Sequence, residues 1–326
     1  LAPIYHFPQL KERATAIAWS KDSRLFAAAD ASGDVAVFDV ATRREIARLG
    51  GYVPHRMPYV LSGLAFAPDG MALAFGADDG TVRVWEFRSG RIRDFTGLPA
   101  PLLAAAFSAD GKRLAIASGG VQYEVADAPP VVRPMQVVIL DISSGKELAK
   151  AEIPGIVHLV FAPDASAFFG TAAEFAKPLD GTLHLSGESL LQVWRTQPVD
   201  LVGSHPEAGF RGTWSSKSRL FAMGSAVWDA HSGQLVRETP FPVLSFIDGD
   251  RSVLTIESGV GMLRDGPFAA TRWMRPVYVR LSDGRRHDLR RHAIKSAGGL
   301  DVAGSRISPD GHLAVGQSMY LWEIPR

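Results

Sequence analysis

A short phrase recurs along this chain and constrains its fold more than any other feature. It reads Phe66-Ala67-Pro68-Asp69-Gly70, Phe107-Ser108-Ala109-Asp110-Gly111, Phe161-Ala162-Pro163-Asp164-Ala165 and Ile307-Ser308-Pro309-Asp310-Gly311. Each copy precedes a short apolar run and then a second signal: Val82-Arg83-Val84-Trp85-Glu86, Gln136-Val137-Val138-Ile139-Leu140-Asp141, Leu191-Gln192-Val193-Trp194 and Tyr320-Leu321-Trp322-Glu323. A unit reused every ~40 residues is the mark of a propeller or solenoid, because one such unit cannot bury its apolar face alone.

Aligning on the phrase gives seven units, whose first strands are expected to end at Trp19, Phe66, Phe107, Phe161, Trp214, Phe246 and Ile307. Tight turns follow, such as Lys21-Asp22-Ser23. Gly tolerates positive φ there and Asp bonds its own backbone. Third strands are expected over 35–40, 82–87, 137–142, 191–196, 226–230, 277–281 and 319–324. Gly-bearing turns (Ser89-Gly90, Ser144-Gly145, Ser232-Gly233, Asp283-Gly284) lead on to short fourth strands. Short strands punctuated this regularly predict an all-β chain. The expected fold is a single seven-bladed β-propeller of four-stranded antiparallel blades over 1–326. Its blades are placed at about 14–51, 60–97, 101–155, 156–204, 208–240, 241–292 and 297–326. The last unit stops after its third strand, and Pro3-Ile4-Tyr5-His6-Phe7 opens the chain as a strand without a blade. Joining the two closes the ring and removes a bare strand edge.

The second unit carries a family resemblance. Ala77-Asp78-Asp79-Gly80-Thr81-Val82-Arg83-Val84-Trp85-Glu86 resembles the turn and third strand of WD40 repeats. In degraded form the resemblance runs over nearly the whole chain, as in many bacterial propellers. No unit has the Gly-His start of that family, so the hydrogen-bond network its His supports is expected to be missing. The resemblance implies a stiff display scaffold rather than an enzyme.

Composition narrows the function classes. The chain is 46% hydrophobic and 21% charged with a formal net charge of +1, so no global field draws it to nucleic acid. No apolar run reaches the ~18 residues of a membrane-spanning helix. Cysteine is absent, which excludes disulfides and thiolate metal sites. Asparagine is also absent and Arg outnumbers Lys; a GC-rich genome accounts for this better than thermophily does. The chain begins at Leu1, so a signal peptide, a tag or another domain is expected upstream. These points lean toward an exported protein, with a cytoplasmic scaffold as the alternative.

Alternating strand direction assigns the loops to faces. Calling the strands of a blade a to d, the a–b and c–d turns share one face and are all short. The b–c loops and d–a links share the other, where the insertions lie at 51–59, 119–135, 172–189, 257–275 and 292–300. These stretches mix Tyr, Trp, Arg and Met, residues enriched where proteins bind one another. The partner-binding candidates are Tyr52, His55, Arg56, Tyr59, Tyr123, Arg133, Phe175, Lys177, Arg264, Phe268, Arg272 and Trp273. The alternative is that the loops pack on one another and cap the channel.

Catalytic and cofactor motifs are missing. There is no nucleophile elbow, phosphate loop or dinucleotide loop, and no paired metal-binding histidines occur. Asp248-Gly249-Asp250 and Asp78-Asp79-Gly80 are too short for a calcium loop and read as turns. The basic run Arg285, Arg286, His287, Arg290, Arg291 and His292 falls on the expected outermost strand of blade six, where charge guards against edge-to-edge pairing. Trp85, Trp194, Trp228 and Trp322 are expected to pack between blades. The functional expectation is a non-enzymatic scaffold subunit without cofactors, binding a protein partner, with no nucleic acid and no direct membrane span. Two alternatives stand beside it. One is a small ligand in the channel mouth; the other is a hydrolase using Glu124, Glu188, His184 and Asp265.

Overall fold

Seven antiparallel sheets follow one another along the chain. The structure, a computed structural model, describes residues 4–7, 10–11, 14–30, 32–50, 64–76, 80–98, 102–122, 131–153, 156–175, 185–196, 198–206, 212–262, 270–288, 294–295, 306–310, 312–315 and 319–323. After β1 (Tyr5–His6), blade 1 holds β2 (Ala14–Trp19), β3 (Leu25–Asp30), β4 (Val35–Asp39) and β5 (Arg44–Leu49). Blade 2 holds β6 (Ala65–Phe66), β7 (Leu73–Gly76), β8 (Val82–Glu86) and β9 (Arg91–Phe95). Blade 3 holds β10 (Leu102–Phe107), β11 (Arg113–Gln122), β12 (Val131–Asp141) and β13 (Glu147–Ile153). Blade 4 holds β14 (Ile156–Phe161), β15 (Ala167–Phe175), β16 (Leu185–Thr196) and β17 (Val199–Pro206). Blade 5 holds β18 (Gly212–Trp214), β19 (Leu220–Met223), β20 (Ala226–Asp229) and β21 (Leu235–Glu238). Blade 6 holds β22 (Val243–Ile247), β23 (Ser252–Met262), β24 (Ala270–Arg280), β25 (Arg286–Asp288) and an extra β26 (Ile294–Lys295). Blade 7 holds β27 (Arg306–Ile307), β28 (Leu313–Val315) and β29 (Tyr320–Glu323), and β1 completes it.

The expected seven-bladed ring is what forms, with no helix among the described residues. β1 lies antiparallel on β29, Tyr5 opposite Leu321 and His6 opposite Tyr320. The core is seven apolar clusters, each shared by two adjacent blades. Of the four tryptophans expected between blades, Trp85, Trp194 and Trp228 sit in three of these clusters; the side chain of Trp322 lies outside the described residues. The cluster joining blade 7 to blade 1 contains Phe7, Phe26, Phe38 and Leu321.

The repeated phrase has a direct physical basis. Four residues past the aromatic that ends the first strand, the backbone turns left-handed: Ser23, Gly70, Gly111, Ala165, Ser218 and Asp250 have φ between 55° and 69°. Glycine enters this region without steric cost, which explains the glycine that ends the phrase. Where a Ser directly follows the strand, its hydroxyl accepts the amide five residues on. Leu25, Arg113, Leu220 and Leu313 donate to Ser20, Ser108, Ser215 and Ser308 in this way. The Asp of the phrase then accepts the hydroxyl hydrogen of Ser20, Ser108 or Ser308.

Non-glycine residues hold the left-handed position where they clasp the preceding blade. Ser23 accepts the Asp310 amide at 3.2 Å and Ser218 the Asp164 amide at 3.3 Å. Asp250 accepts the amide and hydroxyl of Ser216, each at 2.9 Å. These bonds cross the seams from blade 7 to 1, 4 to 5 and 5 to 6. In blade 4 the position holds Ala165, whose methyl can accept nothing. There a cleft of about 430 Å³ opens between the turns of blades 3 and 4, beside Asp110, Arg113, Asp164 and Arg195.

The c–d turns use the same carboxylate capping. Asp141 accepts the hydroxyls of Ser143 and Ser144 and the Ser144 amide, which hold its pKa down at about 2. Asp110, Asp229 and Asp283 are likewise below the ordinary value of 3.8, led by bonds from the Ser108 hydroxyl and from the Ser232 and Arg285 amides respectively. Each carboxylate is therefore better stabilised in the fold than in the open chain. That stability is full above the ordinary value and is lost as pH falls through the depressed one. We predict a melting temperature insensitive to these groups near neutrality and falling between about pH 4 and pH 2, read by scanning calorimetry. A level melt across that window would contradict the role given to the turn carboxylates.

Candidate functional site

The two faces of the ring differ in kind. On the a–b and c–d face the turns are short and internally bonded. On the other face, blades 3, 4 and 6 extend their second and third strands past the blade. The stretches expected to be loops at 119–135, 172–189 and 257–275 are therefore at least half strand. β11 runs to Gln122 and β12 starts at Val131; β15 runs to Phe175 and β16 starts at Leu185; β23 runs to Met262 and β24 starts at Ala270. In each of these three the described strands pair into a two-stranded arm. Backbone groups explain this. A long connection leaves its donors and acceptors to water, whereas a hairpin pairs them along its length.

The arms differ in regularity. In blade 3 the register shifts between Ser118 and Gly120 before Gly120 pairs with Arg133. In blade 4 it shifts between Ala172 and Glu174, and Phe175 then pairs with Leu185. In blade 6 the ladder runs without a shift from Ser252↔Arg280 to Met262↔Ala270. Blade 5, between the arms of blades 4 and 6, turns instead through Gly224-Ser225, with Met223 opposite Ala226. The chain leaving that blade seals this low point: Thr239 donates its amide to the Ser225 carbonyl at 2.7 Å and its hydroxyl to the same oxygen at 2.8 Å.

Charged groups brace the same face. In blade 1, Asp34 is nearly buried and receives Lys11 and Arg48, each at 3.2 Å. Arg48 also grips Glu45 at 2.6 Å. At the root of the blade-6 arm, Arg286 pairs with Glu257 at 3.0 Å and lies over the Phe241 ring. So part of the basic run braces an inter-blade seam from β25, the outermost of the strands β22 to β25; Arg290, Arg291 and His292 lie outside the described residues. At the root of the blade-3 arm, Ser118 and Gln136 face each other across the ladder. The Ser118 hydroxyl and the Gln136 amide oxygen are buried there without a hydrogen-bond partner among the described residues.

The sequence-derived candidates divide as follows. Arg133 is on β12, Phe175 closes β15, and Arg272 and Trp273 are on β24. Arg272 pairs with Val260; Trp273 pairs with Gly259 on one side and with Lys295 of β26 on the other. Tyr52, His55, Arg56, Tyr59, Tyr123, Lys177, Arg264 and Phe268 lie outside the described residues, as do Glu124, His184 and Asp265. Among the described residues no three His, Asp or Glu side chains are grouped so as to hold a metal ion. Reading the insertions as loops overlooked the arm strands.

Comparison with known proteins bears on the repeat. The family model described as "WD domain, G-beta repeat" matches residues 49–86, which reach from the end of β5 to the end of β8. A protein of Schistosoma mansoni, "WD repeat-containing protein SL1-17", is 33% identical over 111 residues. The match covers 34% of this chain and 35% of that protein, so it spans about a third of the relative's length.

Proposed function

We propose that this chain, a WD40-repeat-like seven-bladed β-propeller, works as a non-enzymatic protein-interaction module whose arm face holds the partner. WD40 propellers typically act in this way, and fold alone does not specify function. The observation that carries the reading is the asymmetry of the ring. Three blades project strand-built arms toward one side, while the opposite side is knit by short turns bonded across seams. Rigid hairpins lose less conformational entropy on binding than open loops of the same length. Arg133, Arg272 and Trp273 stand on these arms, and with Phe175 they are the contacts proposed for a protein partner, which would make the chain a subunit of a larger assembly.

Arm exchange tests the proposal. Each of the arms at 119–134, 173–189 and 256–276 is replaced by the Gly-Ser turn that blade 5 uses, singly and together. Partners are captured from native extract and quantified by mass spectrometry and cross-link mapping. The expected result is loss of specific partners from the triple exchange with the melting temperature kept within about 5 °C, since the seam clusters lie below the arms. Retention of every partner by a folded triple exchange, or cross-links confined to the short-turn face, would remove the basis of the proposal.

A further inference from the structure

Among the described residues, no strand pairs with the inner edge of the blade-6 arm. β22 pairs with β23 only from Ile247↔Ser252 to Val243↔Thr255. Beyond that point Ile256 to Met262 continue in the ladder with β24, with no strand on their other side among the described residues. At about 3.3 Å per residue this is ~23 Å of strand edge with no pairing strand among the described residues. Among the described residues the comparable inner edges of the other arms are shorter: β11 runs on from its last pair with β10 at Ser118 to Gln122, and β15 from its last pair with β14 at Ala172 to Phe175.

The two edges of this arm are treated differently. The outer edge belongs to β24. It is partly covered by β26 at Trp273 and Met274 and by β25 from Val277 to Val279. Between and beyond those covers stand Arg272, Arg275 and Pro276. Charge, proline and a covering strand are the usual defences of a sheet edge. The inner edge reads Ile256-Glu257-Ser258-Gly259-Val260-Gly261-Met262, with one charge, no proline and no lysine. Its ladder with β24 carries no bulge to twist it away. It also places two glycines at alternate positions, on one face of the strand. Glycine inside a strand weakens it and often marks a place where another backbone comes close.

We infer that the inner edge of the blade-6 arm takes an extended segment of a partner protein as an added strand. This rests on the arm face being the binding face and deepens it with a mode of recognition. Main-chain hydrogen bonds from Ile256 to Met262 supply the affinity, as in other strand-addition complexes. Gly259 and Gly261 set the preference. They leave room beside the added strand for bulky apolar residues two apart. The occupant is thus an extended peptide with large apolar side chains at alternate positions and little charge between them.

A phage-displayed library of random 12-residue peptides, selected against the full chain, tests this. Selected peptides are synthesised and bound to the chain, and amide hydrogen exchange is followed. The inference expects a shared pattern of bulky residues two apart and slowed exchange within 256–262. Gly259→Pro and Val260→Pro separate the two edges, because consecutive strand amides point to opposite sides. One proline removes a donor from the inner edge and the other breaks the ladder to β24. The former should weaken peptide binding at least tenfold with exchange of the β24 amides unchanged. Peptides that protect a different arm would overturn the inference and leave the arm face standing as the binding face. Protection confined to the short-turn face would overturn both. An unselective library, or equal binding by wild type and both proline variants, would also overturn the strand-addition mode.

Discussion

Deleting residues 1–10 is expected to lower the melting temperature by more than about 10 °C and to free the last blade for proteolysis. The reason is that the ring closes on a strand only a few residues long. The Ile4 amide donates to the Leu321 carbonyl at 2.8 Å and the Phe7 amide to the Met319 carbonyl at 3.0 Å. Phe7 is fully buried, with its ring 4.8 Å from Phe26 and 5.4 Å from Phe38, both edge-on. Leu10 is buried in the same cluster, against residues of blades 1 and 7. Truncating one such phenylalanine costs about 3–5 kcal/mol. For a chain of this size that is a fall of about 5–10 °C, so Phe7→Ala alone should reproduce much of the effect. The full deletion also bares the β29 edge. His6 gives the control. It is exposed and stacks at 4.2 Å on Tyr320, so His6→Ala should cost less than about 1 kcal/mol. Scanning calorimetry and limited proteolysis of the three proteins decide the matter. An unchanged melt for the deletion would mean that blade 7 holds without its outer strand.

The ring was legible because its determinants are local and repeated. The first strands of all but one blade end where the aromatic of the repeat places them; in blade 6 the strand continues one residue past Phe246, to Ile247. The turn residues carry the rest: a glycine, or a Ser or Asp with a seam bond to make, occupies five of the six left-handed positions described in the a–b turns, Ala165 being the exception. The arms were legible only as insertions. Ala-rich and Gly-rich stretches such as Ala172-Ala173-Glu174 and Ser258-Gly259-Val260-Gly261 lack the β-branched alternation that marks a strand. Their strand state comes from pairing with the partner limb, which local propensity does not encode. The cleft between blades 3 and 4 was illegible for another reason. It is lined by the turns of two neighbouring blades, Asp110 and Arg113 on one side and Asp164 and Arg195 on the other, and it becomes visible only once those turns stand side by side.

Gly212→Ala should be among the most damaging single changes in the molecule, although it adds only a methyl group. Gly212 lies in the short strand β18, opposite Met223. A Cβ built there would sit 2.2 Å from the Phe169 ring of blade 4 and 3.0 Å from the Ala222 carbonyl oxygen. Neither neighbour can withdraw cheaply. The carbonyl belongs to the ladder of blade 5. Phe169 is fully buried, stacked at 5.2 Å on Phe221 and 5.4 Å from Trp214, and Phe221 is stacked in turn on Trp228. Moving the first ring displaces the whole aromatic column that joins blades 4 and 5. Overpacking of a tight core costs about 1–3 kcal/mol and occasionally more; with a rigid column on one side and backbone on the other, the expected value is about 3 kcal/mol. Gly97 supplies the contrast, since nothing lies within 4 Å of a Cβ built there. Its φ of 84° is left-handed, so Gly97→Ala meets only the backbone penalty of about 1–2 kcal/mol. The mechanism is tested by shrinking the obstacle. Phe169→Leu alone should destabilise, but combined with Gly212→Ala it should recover part of the loss, a coupling of about 1–2 kcal/mol between contacting sites. Additive losses in urea unfolding of the double variant would show that the methyl strains something other than the aromatic column.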